Sequence, residues 1–135
     1  SRYRVTRETP SRSAARVTMA EVQPLLGHLL DVLGSGRGEQ INRLIDRGGR
    51  DGAGADGFVQ TYNRVVANGG KVRLGSVQFS GRQEGDALAV DGVVLLMLQD
   101  ENRQPVTREL VLKALFASRG GQPVMTQVTA SELAR

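Results

Sequence analysis

The chain of 135 residues offers one histidine, His28, and no cysteine for nucleophilic or metal chemistry. A zinc site needs three or four ligands of the imidazole or thiolate kind, so no metal is expected, and no Ser-His-Asp spacing supports a triad. Asp51 and Asp56 flank glycines in a loop, but Ala53 and Ala55 stand where a calcium loop places oxygen ligands at alternate positions. Gly34, Gly36 and Gly38 alternate in a GSGRG run that follows a helix rather than a strand and lacks the phosphate-binding lysine; it reads as a connection between helices. No cofactor is expected.

Five polar side chains remain as candidates for chemistry. Asp91 lies mid-strand between Val90 and Gly92, where burial would be needed to shift its pKa. Tyr62 falls on the apolar side of a helix with Phe58, so its hydroxyl requires a buried partner or a cavity. His28 falls off the apolar stripe of its helix, beside Glu21 and Asp31, and faces a pocket only if Pro24 bends that helix. Glu109 and Lys113 share one face of a strand and can pair across it. The alternative for these polar groups is ordinary solvent-facing polarity.

The elements that carry these residues follow from periodicity. Thr18 and Glu21 have capping-box spacing, and Val22, Leu25, Leu26, Leu29, Leu30 and Leu33 follow on one helical stripe, ended by Gly34-Ser35-Gly36. Pro24 requires either a bend or a start near Gln23. A second helix is expected over 37–47, presenting Ile41, Leu44 and Ile45, and a glycine-rich loop over 48–57. A third helix has Asp56 as N-cap, Phe58, Val59, Tyr62, Val65 and Val66 as its apolar face, and Asn68-Gly69-Gly70 as its stop. Four strands are expected over 71–80, 87–98, 106–117 and 123–130, with a phase change at Gly75-Ser76 that suggests a bulge. Helices segregated from a run of hairpin-linked strands mean α+β.

Charge separates the two ends of the chain. Residues 1–16 hold five arginines against Glu8, while the 13 basic and 13 acidic side chains of 17–135 cancel. The net charge of +4 therefore belongs to the first 16 residues, and no basic face remains for nucleic acid. Five widely spaced aromatics also make a poor stacking platform for single strands. Residues 1–16 read as an Arg-rich flexible linker and 17–135 as one domain. Ser1 in place of an initiator Met suggests a longer parent, with membrane contact only through a missing N-terminal anchor. A periplasmic or membrane-tethered setting is favoured over a cytoplasmic one.

The strand over 87–98 is apolar on both parities in its second half: Val94, Leu96 and Leu98 on one side, Val93, Leu95 and Met97 on the other. An antiparallel sheet backed by helices needs one apolar face, so the second set requires a cover. A partner subunit supplies one. A sheet curled around its own helices supplies another.

The order of elements resembles the nuclear transport factor two-like superfamily, which includes the SnoaL-like and ketosteroid-isomerase-like proteins. The resemblance rests on LLGHLLDVLGSG, EQINRLIDRG and GFVQTYNRVVANGG as helices and on KVRLGSVQFSG, ALAVDGVVLLMLQD, PVTRELVLKALFASRG and QPVMTQVTA as strands. It implies a cone-like α+β fold: three N-terminal helices on a curved, mainly antiparallel four-stranded sheet, with a pocket at the wide end and an open face that commonly dimerises. Enzymes of that family place Tyr and Asp, or His and Asp, in the pocket. Helix one here has neither Tyr nor Asp on its apolar face, and no such pair carries over.

The expected function is accordingly a noncatalytic association domain of a larger or exported bacterial protein. It would form a homodimer or dock a protein partner through Val93, Leu95, Met97, Val111 and Leu115. The alternative is a small apolar-ligand carrier, or an isomerase- or hydrolase-like enzyme, with Phe58, Tyr62, Asp91 and His28 around a pocket.

Overall fold

In the computed structural model of the chain, which describes residues 3–6, 16–46, 54–66 and 71–133, Thr18 opens helix α1 (Met19–Leu33). Its hydroxyl accepts the Glu21 N–H at 3.3 Å, and the Glu21 carboxylate accepts the Thr18 N–H at 3.1 Å. Two donors that the first helical turn leaves without partners are thereby satisfied. Val22, Leu26, Leu29, Leu30 and Leu33 are buried along one stripe. Pro24 sits inside the helix without ending it; one hydrogen bond is given up on the exposed side, and the packed stripe holds the rest.

The expected second helix is shorter and tighter than its apolar spacing suggests. It is a six-residue 3-10 helix (Gly38–Arg43), held at its start by the Gly38 N–H donating to Asn63 Oδ1 at 3.0 Å. Beyond it Ile45 makes a single parallel bridge to Met125, and the Asp46 N–H donates to the Met125 carbonyl at 2.8 Å. Fixed at both ends, the segment has no length for a longer α-helix.

Helix α2 (Ala55–Val66) begins one residue before the expected cap, so Asp56 lies in its first turn rather than capping it. The Phe58 N–H donates to the Gly54 carbonyl at 2.8 Å. Gly54 has φ +85°, and a Cβ there would collide with the Val128 carbonyl, so the start of α2 lies against the last strand. Of the expected glycine loop, residues 48–53 lie outside the described residues, as does the Asn68-Gly69-Gly70 stop; Gly54 is a turn and 55–57 are helical.

Among the described residues five strands form the sheet, not four: β1 (Arg4–Thr6), β2 (Arg73–Glu84), β3 (Ala87–Gln99), β4 (Pro105–Arg119) and β5 (Gln122–Glu132), side by side in that order. The added strand comes from the segment expected as a linker. It pairs parallel to β2, with Val5 opposite Phe79, and the Tyr3 ring stands edge-on to Phe79 at 5.2 Å. The other pairings are antiparallel. Register breaks between Leu74 and Val77, at the expected bulge, and again at Leu115 and Phe116. Gly120 and Gly121, with φ of 58° and 79°, make the two-residue turn from β4 to β5.

Both α-helices pack on one side of this sheet. The core there combines the α1 stripe, Phe58, Tyr62, Val65 and Val66 with Val77, Phe79, Leu88, Val94, Leu96, Leu110, Leu112, Phe116, Met125 and Val128. The architecture is α+β, and the described residues form a mixed five-stranded sheet, two α-helices and one 3-10 helix.

Candidate functional site

Strand alternation sorts β3 onto two faces. Leu88, Val90, Val94 and Leu96 point into the core, while Asp91, Val93, Leu95 and Met97 point away from it. On β4 the same parity sends Leu110, Leu112, Ala114 and Phe116 inward and Glu109, Val111, Lys113 and Leu115 outward. Register then sets the outward residues side by side: Val93 opposite Val111, Leu95 opposite Glu109, Asp91 opposite Lys113 and Ala89 opposite Leu115.

Val93 is 43% exposed and Met97 42%, and Leu95, Val111 and Leu115 are half-buried. Among the described residues no helix lies over this face. Leu95 owes its partial cover to the β2 bulge, where a Cβ on Gly75 would come within 3.0 Å of it. Gln78 and Ser80 flank the stripe on β2, and Thr129 and Ser131 on β5. The five residues expected to form an interface thus share one surface.

At one end of the stripe the face sinks into a hollow of about 370 Å³ lined by Arg82, Glu84, Asp91, Lys113, Leu115 and Thr129, among others. Arg82 donates to Asp91 Oδ2 at 3.3 Å and stands 3.8 Å from Glu84. Asp91 Oδ1 accepts no hydrogen bond, and Lys113 makes no ion pair, among the described residues. The expected Glu109–Lys113 pair is not made, because Glu109 lies opposite Leu95, four residues along β4 from the lysine.

The four expected pocket residues are not brought together. Phe58 and Tyr62 are both fully buried, with rings stacked at 6.0 Å and 4° apart. The Tyr62 hydroxyl donates to the Leu33 carbonyl at 2.6 Å and accepts the Gly36 N–H at 3.0 Å. Burial raises its pKa, only partly offset by the Gly36 hydrogen bond. Asp91 lies on the opposite face of the sheet, and His28 is exposed on α1. Among the described residues no group of three or more histidine and carboxylate side chains could hold a metal ion.

Residue types alone did not mark Arg82, Glu84 and Thr129, which complete the hollow. Each is an ordinary polar strand residue, and only the register between strands gathers them.

No protein-family model matches the chain, and no curated protein sequence does. Solved structures do match in fold. The calcium/calmodulin-dependent kinase II hub homology domain from Chlamydamonas reinhardtii is 21% identical with a TM-score of 0.58, covering 90% of this chain and 99% of that one. The association domain of the C. elegans kinase is 19% identical with a TM-score of 0.52, over 83% and 93%. A putative association domain of this kind from Xanthomonas campestris is 13% identical with a TM-score of 0.54, over 93% and 94%. Association and hub domains of this kind are nuclear transport factor two-like folds, and so is the fold of this chain.

Proposed function

We propose that the chain is a noncatalytic association domain that pairs with a second copy of itself through the outer face of its sheet. The observation that carries this reading is the uncovered stripe of Val93, Leu95, Met97, Val111 and Leu115 on a sheet whose other face already has its helices. Similarity in fold to proteins named as association and hub domains supports it.

A specific protein pair buries about 800 Å² on each partner. The five apolar side chains supply the centre of such a surface, and Gln78, Ser80, Thr129 and Ser131 supply a polar rim around it. Association would remove the stripe from water, where each Å² of apolar surface costs about 25 cal/mol.

The test is the mass of the native protein in solution, by light scattering or sedimentation, beside its Leu95→Arg variant. The reading expects a wild-type dimer at micromolar concentration and a Leu95→Arg monomer that still unfolds cooperatively. A wild-type monomer across that concentration range overturns it.

A further inference from the structure

Charge on the outer face restricts how two copies can face each other. Asp91 and Lys113 lie directly opposite on β3 and β4, at the edge of the apolar stripe. Asp91 has one oxygen on Arg82 and the other without a hydrogen bond, and Lys113 has no ion pair among the described residues. Both are within a surface that pairing would dehydrate, where an unpaired charge is costly and a like-charge contact more so.

Two sheets packed face to face by two-fold symmetry have their dyad in the plane between them, so each residue meets the reflection of its own position across that axis. A dyad running along β3 sets Asp91 against Asp91 of the second copy. Along β4 it sets Lys113 against Lys113. Across the strands at the level of Val93 it presses Asp91 onto the second copy's Leu95 and spends Lys113 on Glu109, which already has a partner in its own chain. A dyad parallel to the strands and midway between β3 and β4 lays Glu109 over the second copy's Leu95 but leaves neither Asp91 nor Lys113 facing a like charge or an apolar side chain. It places Asp91 over the second copy's Lys113 twice, by symmetry, and also sets Val93 over Val111 and Ala89 over Leu115. Packed sheets stand about 10 Å apart, a gap that an extended lysine and an aspartate span together.

We infer that reciprocal Asp91–Lys113 pairs between copies determine the register and the partner of the assembly, with the dyad between β3 and β4. The inference rests on the self-association reading and names the contacts that make it specific.

The experiment mixes wild-type chains with mass-labelled chains carrying both Asp91→Lys and Lys113→Asp, lets them re-equilibrate, and weighs the dimers by native mass spectrometry. The double exchange keeps opposite charges facing each other at 91 and 113 within each copy; because it also sets a lysine beside Arg82 in place of the Asp91 contact, the homodimer of the doubly exchanged chain alone is the reference for effects inside the copy. Each kind should pair with itself, and the mixed dimer should fall below about a tenth of its statistical share. A mixed dimer at its statistical share overturns the inference while leaving self-association standing. Rescue of Lys113→Asp by Glu109→Lys rather than by Asp91→Lys also overturns it, since that result requires a dyad across the strands. A wild-type protein without dimers overturns both readings together.

If the doubly exchanged chain does not melt cooperatively, the neutral variants Asp91→Asn and Lys113→Gln read the same contact. Paired residues make the double variant's dimer no weaker than the single ones, whereas effects that multiply overturn the inference.

Discussion

The Tyr62 hydroxyl donates to the Leu33 carbonyl at 2.6 Å and accepts the Gly36 N–H at 3.0 Å, joining α2 to the end of α1 across 29 residues of sequence. A buried phenol in such a position closes a helix terminus by serving one of its carbonyls and an N–H of the turn that follows. Tyr62→Phe leaves a carbonyl and an N–H without this partner. The expected cost is about 1–3 kcal/mol in urea unfolding, with the fold retained.

The same tyrosine predicts a pH effect. Its pKa is raised from the ordinary 10.0, chiefly by burial. The folded state thus holds the phenol proton more tightly than the unfolded chain does. Its contribution to stability is fully present below about pH 10 and is lost as pH rises through the folded-state pKa. Unfolding free energy measured from neutral pH upward should decline in that alkaline window, and Tyr62→Phe should make the decline shallower. An identical slope in the variant would assign the effect elsewhere.

Gly54 tests the docking of α2 on β5. Its φ of +85° and the Val128 carbonyl where a Cβ would stand leave room for glycine alone. Gly54→Ala should destabilise by about 1–3 kcal/mol or more through backbone strain and displacement of the helix start. Gly57, with nothing within 4 Å of its notional Cβ, is the control. Gly57→Ala, inside α2, should leave stability unchanged or raise it slightly.

The capping box gives a smaller and cleaner number. Thr18→Ala removes the acceptor of the Glu21 N–H and should cost about 1 kcal/mol in thermal or urea unfolding. Thr18→Asn should recover most of it, because the side-chain oxygen is restored.

Strand β1 is the fourth object of test. Tyr3 contacts Phe79 edge-on, and its hydroxyl donates to the Gln23 carbonyl at 3.3 Å. Tyr3→Ala should cost about 1 kcal/mol and speed hydrogen exchange along the β2 edge, beside Gln78 to Ser80, more than in β4. Uniform acceleration across the sheet would mean that β1 has no separate hold on that edge.

Local pattern carried much of the fold. The Thr18–Glu21 spacing, the α1 stripe, the phase change at Gly75-Ser76, the Gly120-Gly121 turn and the doubly apolar run of β3 are each written within one segment. Each reappears in the structure because capping, turn geometry and side-chain alternation act between residues a few positions apart. Tertiary structure decided the rest. Arg4–Thr6 carries strand-forming Val5 and Thr6 but is too short to read as a strand alone, and it becomes one against the free edge of β2. The segment over 37–47 had helical spacing but is pinned by Asn63 and Met125, which lie far along the chain. Asp91 and Tyr62, grouped in one expected pocket, fall on opposite sides of the sheet. The meeting of Asp91 with Lys113 depends on the pairing of β3 with β4. Such placements are set by register and packing between distant segments, and no periodicity inside a segment encodes them.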